Sequence, residues 1–228
     1  MKTWAKLLFA LLLLCRSSHA QGFINLDFEQ ATIVADTEPS ADPRYAVVTS
    51  NAIPGWSVYY NGNPSPVSWI VYNSVSLGSA SVDLEATNGV FIPVPQVQGK
   101  YYIYLQGSSF VPPGASAAIG QTGQIPSTAQ SISFWGNDVL NITFAGQTLA
   151  FNQTGSTANY NIYTADISAY AGQTGQLLFT AGAGTGGYFD NIQFSSSTVP
   201  EPRGLALAGL GACGLVSAAG GKLRKTKI

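Results

Sequence analysis

Short alternations of apolar and polar residues run through the middle of this chain and predict half-buried strands. They are interrupted every several positions by Gly, Pro, Asn or Ser. Asn25–Phe28 alternates, with Leu26 and Phe28 sharing a face. Further strands are predicted over Tyr45–Thr49, Trp56–Tyr60, Ser68–Val71, Ser81–Leu84 and Tyr101–Gln106. Ile132 and Phe134, Tyr160 and Ile162, Leu177 and Phe179, and Ile192 and Phe194 continue the pattern. Leu140, Ile142 and Phe144 turn at Ala145-Gly146-Gln147 into Leu149 and Phe151, which reads as a hairpin. No helical period of useful length occurs. The one helical turn expected is Asp166–Gly172, capped by the Asp166 carboxylate and closed by Gly172 at positive φ. Gly-rich Ala181–Gly187 is expected to be a surface loop. A dozen or so short strands with one-sided alternation predict two stacked antiparallel sheets, an all-β sandwich of jelly-roll type.

The two ends differ from this body. Met1–Ala20 opens with Lys2 and Lys6, continues through the apolar run Leu7–Leu14, and places Ser18 and Ala20 before Gln21. That is the layout of a secretory signal cut by signal peptidase. At the other end, Gly204–Gly221 carries no charge, and the basic residues Lys222, Arg224, Lys225 and Lys227 follow. Its 18 residues sit at the short limit for a membrane-spanning helix, and the basic cluster would stay cytoplasmic. Three parts are therefore expected: a signal peptide at 1–20, a sandwich domain at 21–198, and a C-terminal anchor at 199–228.

Charge changes meaning once the ends are set apart. The whole chain has a formal net charge of −1. Within 21–198 the bases are Arg44 and Lys100 alone, against ten acids, so the body is acidic. Such a surface repels phosphates and argues against nucleic acid as a partner. Both cysteines, Cys15 and Cys213, fall in the end segments, so no disulfide framework staples the sandwich. The single histidine, His19, lies in the signal segment. Histidine-based triads and ordinary zinc sites are thus excluded from the body, and no enzyme is expected.

Acids and aromatics remain as candidate chemistry. Asp83 and Glu85 stand two apart on one strand face, about 7 Å from each other, as do Asp27 and Glu29. That separation falls in the glycosidase range. Acids at this spacing are also common on the solvent face of a strand. Asp190 shares by alternation the face of Ile192 and Phe194, which is assigned to the core. An unpaired carboxylate there is costly, and a calcium ion would resolve it, as would capping of backbone N–H groups at the strand mouth. Tyr59, Tyr60, Trp69, Tyr101 and Tyr102 form the candidate platform for stacking on sugar rings. Adjacent tyrosines in a strand must split between faces, so one of each pair points outward, although strand propensity alone also explains them.

Val199-Pro200-Glu201-Pro202, then an apolar stretch, then a basic end, resembles the PEP-CTERM sorting signal of Gram-negative bacteria. The resemblance covers about 30 residues. It implies export, anchoring in the inner membrane, processing by an exosortase-type membrane protease, and release to the cell surface or extracellular matrix. Arg203 directly after the motif departs from the more usual Ser or Thr. The opening Asn25-Leu26-Asp27-Phe28-Glu29 and closing Tyr188-Phe189-Asp190-Asn191-Ile192 resemble the end strands of galactose-binding-like sandwiches, many of them carbohydrate-binding modules. That resemblance implies one structural calcium, mapping to Glu29 and Asp190. The function expected is adhesion or weak binding of exopolysaccharide or another glycan. The alternatives are a purely structural envelope component and a carboxylate-dependent glycan hydrolase.

Overall fold

The computed structural model describes residues 21–36, 45–74, 78–86, 97–109, 114–137 and 140–199. Residues 1–20, expected to be a signal segment, lie outside them, as do Pro200, Glu201 and Pro202 of the expected sorting motif, the apolar stretch 204–221 and the basic residues Lys222, Arg224, Lys225 and Lys227. Among the described residues no helix is long and apolar enough to cross a membrane.

Thirteen strands occur among the described residues. They are β1 (Ala46–Val48), β2 (Ser57–Tyr60), β3 (Trp69–Tyr72), β4 (Ser81–Ala86), β5 (Tyr101–Gln106), β6 (Ala117–Gln124) and β7 (Ser131–Gly136). Then follow β8 (Asn141–Phe144), β9 (Gln147–Thr148), β10 (Asn152–Ser156), β11 (Asn161–Asp166), β12 (Thr174–Ala181) and β13 (Gly186–Ser195). An eight-stranded sheet runs β1-β3-β4-β5-β13-β7-β11-β10, and a five-stranded sheet runs β2-β6-β12-β8-β9. Their inner faces meet in one core, so the fold is the expected all-β sandwich. Pairing is antiparallel throughout with one exception: β3 and β4 run parallel, Val71 opposite Asp83.

Alternation decides which side chains face inward. In β8, Ile142 and Phe144 are buried while Asn141 is exposed. In β5, Ile103 and Leu105 join the core. Aromatic rings fill the centre. Phe134 lies 5.9 Å from Phe179 and 6.2 Å from Phe189. Trp56 packs 5.7 Å from Phe28, and its indole N–H donates to the Asn25 carbonyl at 3.0 Å. That bond satisfies a donor that burial would otherwise strand.

Four sequence expectations need correction. Asn25–Phe28 is a turn segment, with Asn25 at φ 50° and Phe28 at φ 55°. Phe28 is fully buried against Trp56 and Phe189, and this packing holds a conformation that a bulky residue otherwise avoids. Asp190 does not share the core face. A bulge between Asp190 and Gln193, with Asn191 at φ 51°, shifts the alternation so that Phe189 and Ile192 point inward. The Gly-rich loop is shorter than expected, because β12 extends through Ala181 and β13 begins at Gly186. The expected helical turn is shorter, Ser168–Tyr170, with Ile167 rather than Asp166 at its N-cap; the Asp166 carboxylate still accepts from Ser168 N–H at 2.8 Å, and Gly172 has φ 75°.

Candidate functional site

Two outer faces of the sandwich carry polar and aromatic groups of different character. On the five-stranded sheet, Val58 and Ile119 point into the core, which sends Tyr59 and its partner Ala118 outward. Across β6 and β12, Ala118 pairs with Thr180 and Gly120 with Leu178. Small residues there leave a trough. A groove of about 290 Å³ is lined by Tyr59, Ala118, Gln176, Leu178, Thr180, Ser116 and the loop Gly62-Asn63-Pro64, without a charged side chain. Gln176 Nε2 donates to the Tyr59 hydroxyl at 3.1 Å, fixing the ring. The rim is held as firmly. Asn61 and Gly62 turn with φ 57° and 66°, Asn61 N–H donates to the Ser116 carbonyl, and Ser116 N–H returns a bond to Asn61 Oδ1.

The eight-stranded sheet has a different outer face. Val82 and Leu84 enter the core, so Asp83 and Glu85 lie on the opposite side. In register, Asp83 opposes Tyr104, Glu85 opposes Tyr102, Tyr104 opposes Tyr188, and Asp190 opposes Trp135. Tyr102 and Tyr188 meet edge to face at 6.0 Å. Trp135 stacks on Tyr160 at 4.6 Å and 7°. The Tyr188 hydroxyl donates to the Asn159 carbonyl at 2.8 Å.

Asp83 and Glu85 share one strand face as their spacing predicts, and both are fully buried, so the alternative of acids on a solvent face does not hold. Ser81 Oγ donates to Asp83 Oδ2 at 2.6 Å. Asp83 Oδ1 and both oxygens of Glu85 have no hydrogen-bond partner, although the nearby Ser74 main chain pulls the Glu85 carboxyl down against the larger effect of burial. Burial pushes the Asp83 carboxyl up to about 7, against the opposing pull of the Ser81 hydrogen bond. Burial, then repulsion from Asp83, raises Glu85 to about 8. Burial and the neighbouring carboxylates also raise the phenols of Tyr102 and Tyr104. Neither acid offers an exposed oxygen to a substrate.

Glu29 and Asp190 sit at a third place, where the 97–100 segment meets the N-terminal turn. Glu29 Oε1 accepts from Lys100 N–H at 2.7 Å and Tyr101 N–H at 2.9 Å. A side chain at Gly99 would collide with this carboxylate. Asp190 is fully buried; its Oδ1 accepts from Asn191 N–H at 2.6 Å, while Oδ2 has no partner. Burial pushes Asp190 up to about 8, helped by the nearby charges of Glu29 and Asp27. Gln98 Oε1 is also buried without a partner. Among the described residues no three acidic, His or Cys side chains close into a metal cluster.

The five aromatic residues expected as a platform are not brought together. Tyr59 lines the groove on the five-stranded sheet. Tyr60 turns inward, its hydroxyl accepting from Val82 N–H at 3.2 Å, and Tyr101 joins the core. Tyr102 lies on the outer face of the eight-stranded sheet but is buried, and half-buried Trp69 stands in β3 of that sheet. Sequence reasoning missed Gln176, Leu178 and Asn63 as groove residues, because they come from a distant strand and a turn. The Trp135–Tyr160 stack also went unread. Val199 is the last of the described residues, and the other residues of the expected sorting motif lie outside them.

No family model matches the chain, and no curated protein matches it significantly. Solved structures give distant likenesses. The enzymatically active domain of tailspike protein 4 from bacteriophage CBA120 is 16% identical with a TM-score of 0.36, covering 62% of this chain. This chain spans 19% of that tailspike chain. TmCBM61, solved with β-1,4-galactotriose, is 13% identical at a TM-score of 0.32, with 77% of this chain and 97% of that one covered. The family 11 carbohydrate-binding module from Clostridium thermocellum, solved with a mixed-linked tetrasaccharide, is 9% identical at 0.33, covering 68% and 97%. At such scores these likenesses carry no argument about ligand.

Proposed function

We propose that this chain is an exported protein of the bacterial cell surface or extracellular matrix whose sandwich binds a neutral glycan in the groove over Tyr59. The charge-free groove carries the reading: a fixed aromatic ring, amides from Gln176 and Asn63, and hydroxyls from Ser116 and Thr180 suit a sugar's apolar face and its rim of hydroxyls. Anchoring in the inner membrane and processing by an exosortase-type protease are supported by the order of motif, apolar stretch and basic end in the sequence. Mass spectrometry of the cell-associated and released forms tests that part.

A structural calcium at Glu29 and Asp190 belongs to the same proposal. The residues fit the ion, since the buried orphan oxygens of Asp190 and Gln98 are the hard donors calcium takes. Glu29 would supply its remaining carboxylate oxygen, and the ion would tie the N-terminal turn to β13. The binding reading is tested on the full chain in detergent with an array of neutral oligosaccharides, followed by calorimetry on the hits. The expected result is millimolar to micromolar affinity that Tyr59→Ala abolishes. Absence of binding across the array would leave the purely structural component as the reading. No observation favours a hydrolase, because Asp83 and Glu85 are sealed from solvent.

A further inference from the structure

A glycan groove on one sheet leaves the acids of the other unexplained. Asp83 and Glu85 occupy alternate positions of β4 and so project from the same face of the eight-stranded sheet. Both are fully buried, and three of their four carboxylate oxygens have no partner: Asp83 Oδ1, Glu85 Oε1 and Glu85 Oε2. Two bare carboxylates side by side in a dry site repel each other and lose their hydration, which is unfavourable on both counts.

Among the described residues no counter-charge is at hand. Lys100 is the one lysine or arginine among the described residues, and its ammonium sits over the Tyr101 ring at 4.6 Å. Tyr101 joins the core, on the opposite side of β5 from Tyr102, the residue paired with Glu85. Ser81, meanwhile, donates its hydroxyl proton to Asp83 Oδ2 at 2.6 Å, an arrangement that favours the ionised acid and fixes its orientation.

We propose that Asp83 and Glu85 together hold a divalent cation on the outer face of the eight-stranded sheet, with calcium the ion their chemistry selects. The donors are all oxygen, which suits calcium and disfavours zinc, whose preferred nitrogen and sulfur ligands are absent. The two side chains start about 7 Å apart and can lean together onto an ion about 2.4 Å from each oxygen. Ser81 is a positioning residue, and backbone carbonyls would complete the shell. The site is separate from Glu29 and Asp190, and independent of sugar binding at Tyr59.

The neighbouring tyrosines supply the test. Tyr102 and Tyr104 face Glu85 and Asp83 across β5, close enough to sensitise the luminescence of terbium bound in place of calcium. The chelator-washed full chain in detergent is titrated with terbium, then with competing calcium. Sensitised emission is expected from wild type and from Glu29→Gln/Asp190→Asn. Asp83→Asn/Glu85→Gln is expected to bind at least tenfold more weakly at this site. Calcium calorimetry on wild type and the same variant gives a second reading, in which one class of site disappears. Unchanged terbium affinity in Asp83→Asn/Glu85→Gln, or no emission from a cooperatively folded Glu29→Gln/Asp190→Asn chain, overturns the proposal. So does a wild-type chain that shows no calcium binding by calorimetry, which would mean that the acids are buried as neutral carboxyls.

Discussion

Phe179 of the five-stranded sheet and Phe189 of the eight-stranded sheet face each other across the core, their rings 4.5 Å apart and 3° from parallel. This contact joins the two layers at the fully buried centre, where Phe28, Phe134 and Trp56 also converge. Replacing Phe189 by Ala opens a void that a close-packed interior cannot refill, at a cost of about 3–5 kcal/mol. Urea unfolding should show the lower midpoint with an unchanged slope. A loss below about 1 kcal/mol would mean that the sheets are not held together here.

Tyr59 projects away from that core, so its removal should leave stability nearly intact while abolishing glycan binding. Tyr59→Phe keeps the ring but frees Gln176 Nε2 from its acceptor. Its affinity should fall only a few-fold, by the loss of about one net hydrogen bond. Calorimetry on both variants separates the stacking contribution from the polar one.

Asp83, Glu85 and Asp190 set an unusual pH dependence. Folding raises their carboxyls to about 7, 8 and 8 from ordinary values of 3.8, 4.5 and 3.8. Between those limits the folded chain holds more protons than the unfolded one, so stability from these groups is complete at low pH and is lost as pH rises through 7 to 8. The chelator-treated chain should therefore melt at a lower temperature at pH 8.5 than at pH 5. Asp83→Asn/Glu85→Gln should lessen that fall, leaving the part due to Asp190, and calcium at pH 8.5 should raise the melting temperature of wild type more than that of the variant. Calorimetric melts across the pH range read all three effects.

Asn191 tests the bulge that re-aims β13. At φ 51° its backbone is left-handed, and its side chain accepts from Gln193 Nε2 at 2.8 Å. Asn191→Gly should be tolerated within about 0.5 kcal/mol, whereas Asn191→Val should cost on the order of 1–3 kcal/mol. Thermal unfolding of the two variants distinguishes a backbone requirement from a side-chain one.

Much of the sandwich was legible because a buried face writes a two-residue period. Ile142 with Phe144, and Leu177 with Phe179, point inward as that period predicts. β6 was not legible, because Ala117–Gln124 is mostly Ala, Gly and Gln, with Ile119 and Thr122 alone favouring a strand. Its glycines answer to close neighbours: a side chain at Gly123 would meet the Phe23 ring at 3.0 Å. Asn25–Phe28 imitated a strand, since alternation cannot reveal two left-handed residues. At Asp190 the period itself slipped by one at Asn191. The burial of Asp83 and Glu85 could not be read from β4, because a strand's pattern tells which side a residue takes and not what covers that side. The groove at Tyr59 was half legible. The outward ring followed from the Tyr59-Tyr60 pair, but Ala118, Gln176, Leu178 and Thr180 arrive from strands more than fifty residues later.

The place of β13 in the large sheet constrains how the molecule is made and how it bears load. It is the last strand among the described residues, yet it lies between β5 and β7. The larger layer therefore cannot be completed until residues 186–195 are available to separate the two, and earlier strands must wait with an open seam. Any pull applied to the chain beyond Ser195 enters through an interior strand, bonded on both sides, and spreads into the sheet before any edge begins to peel.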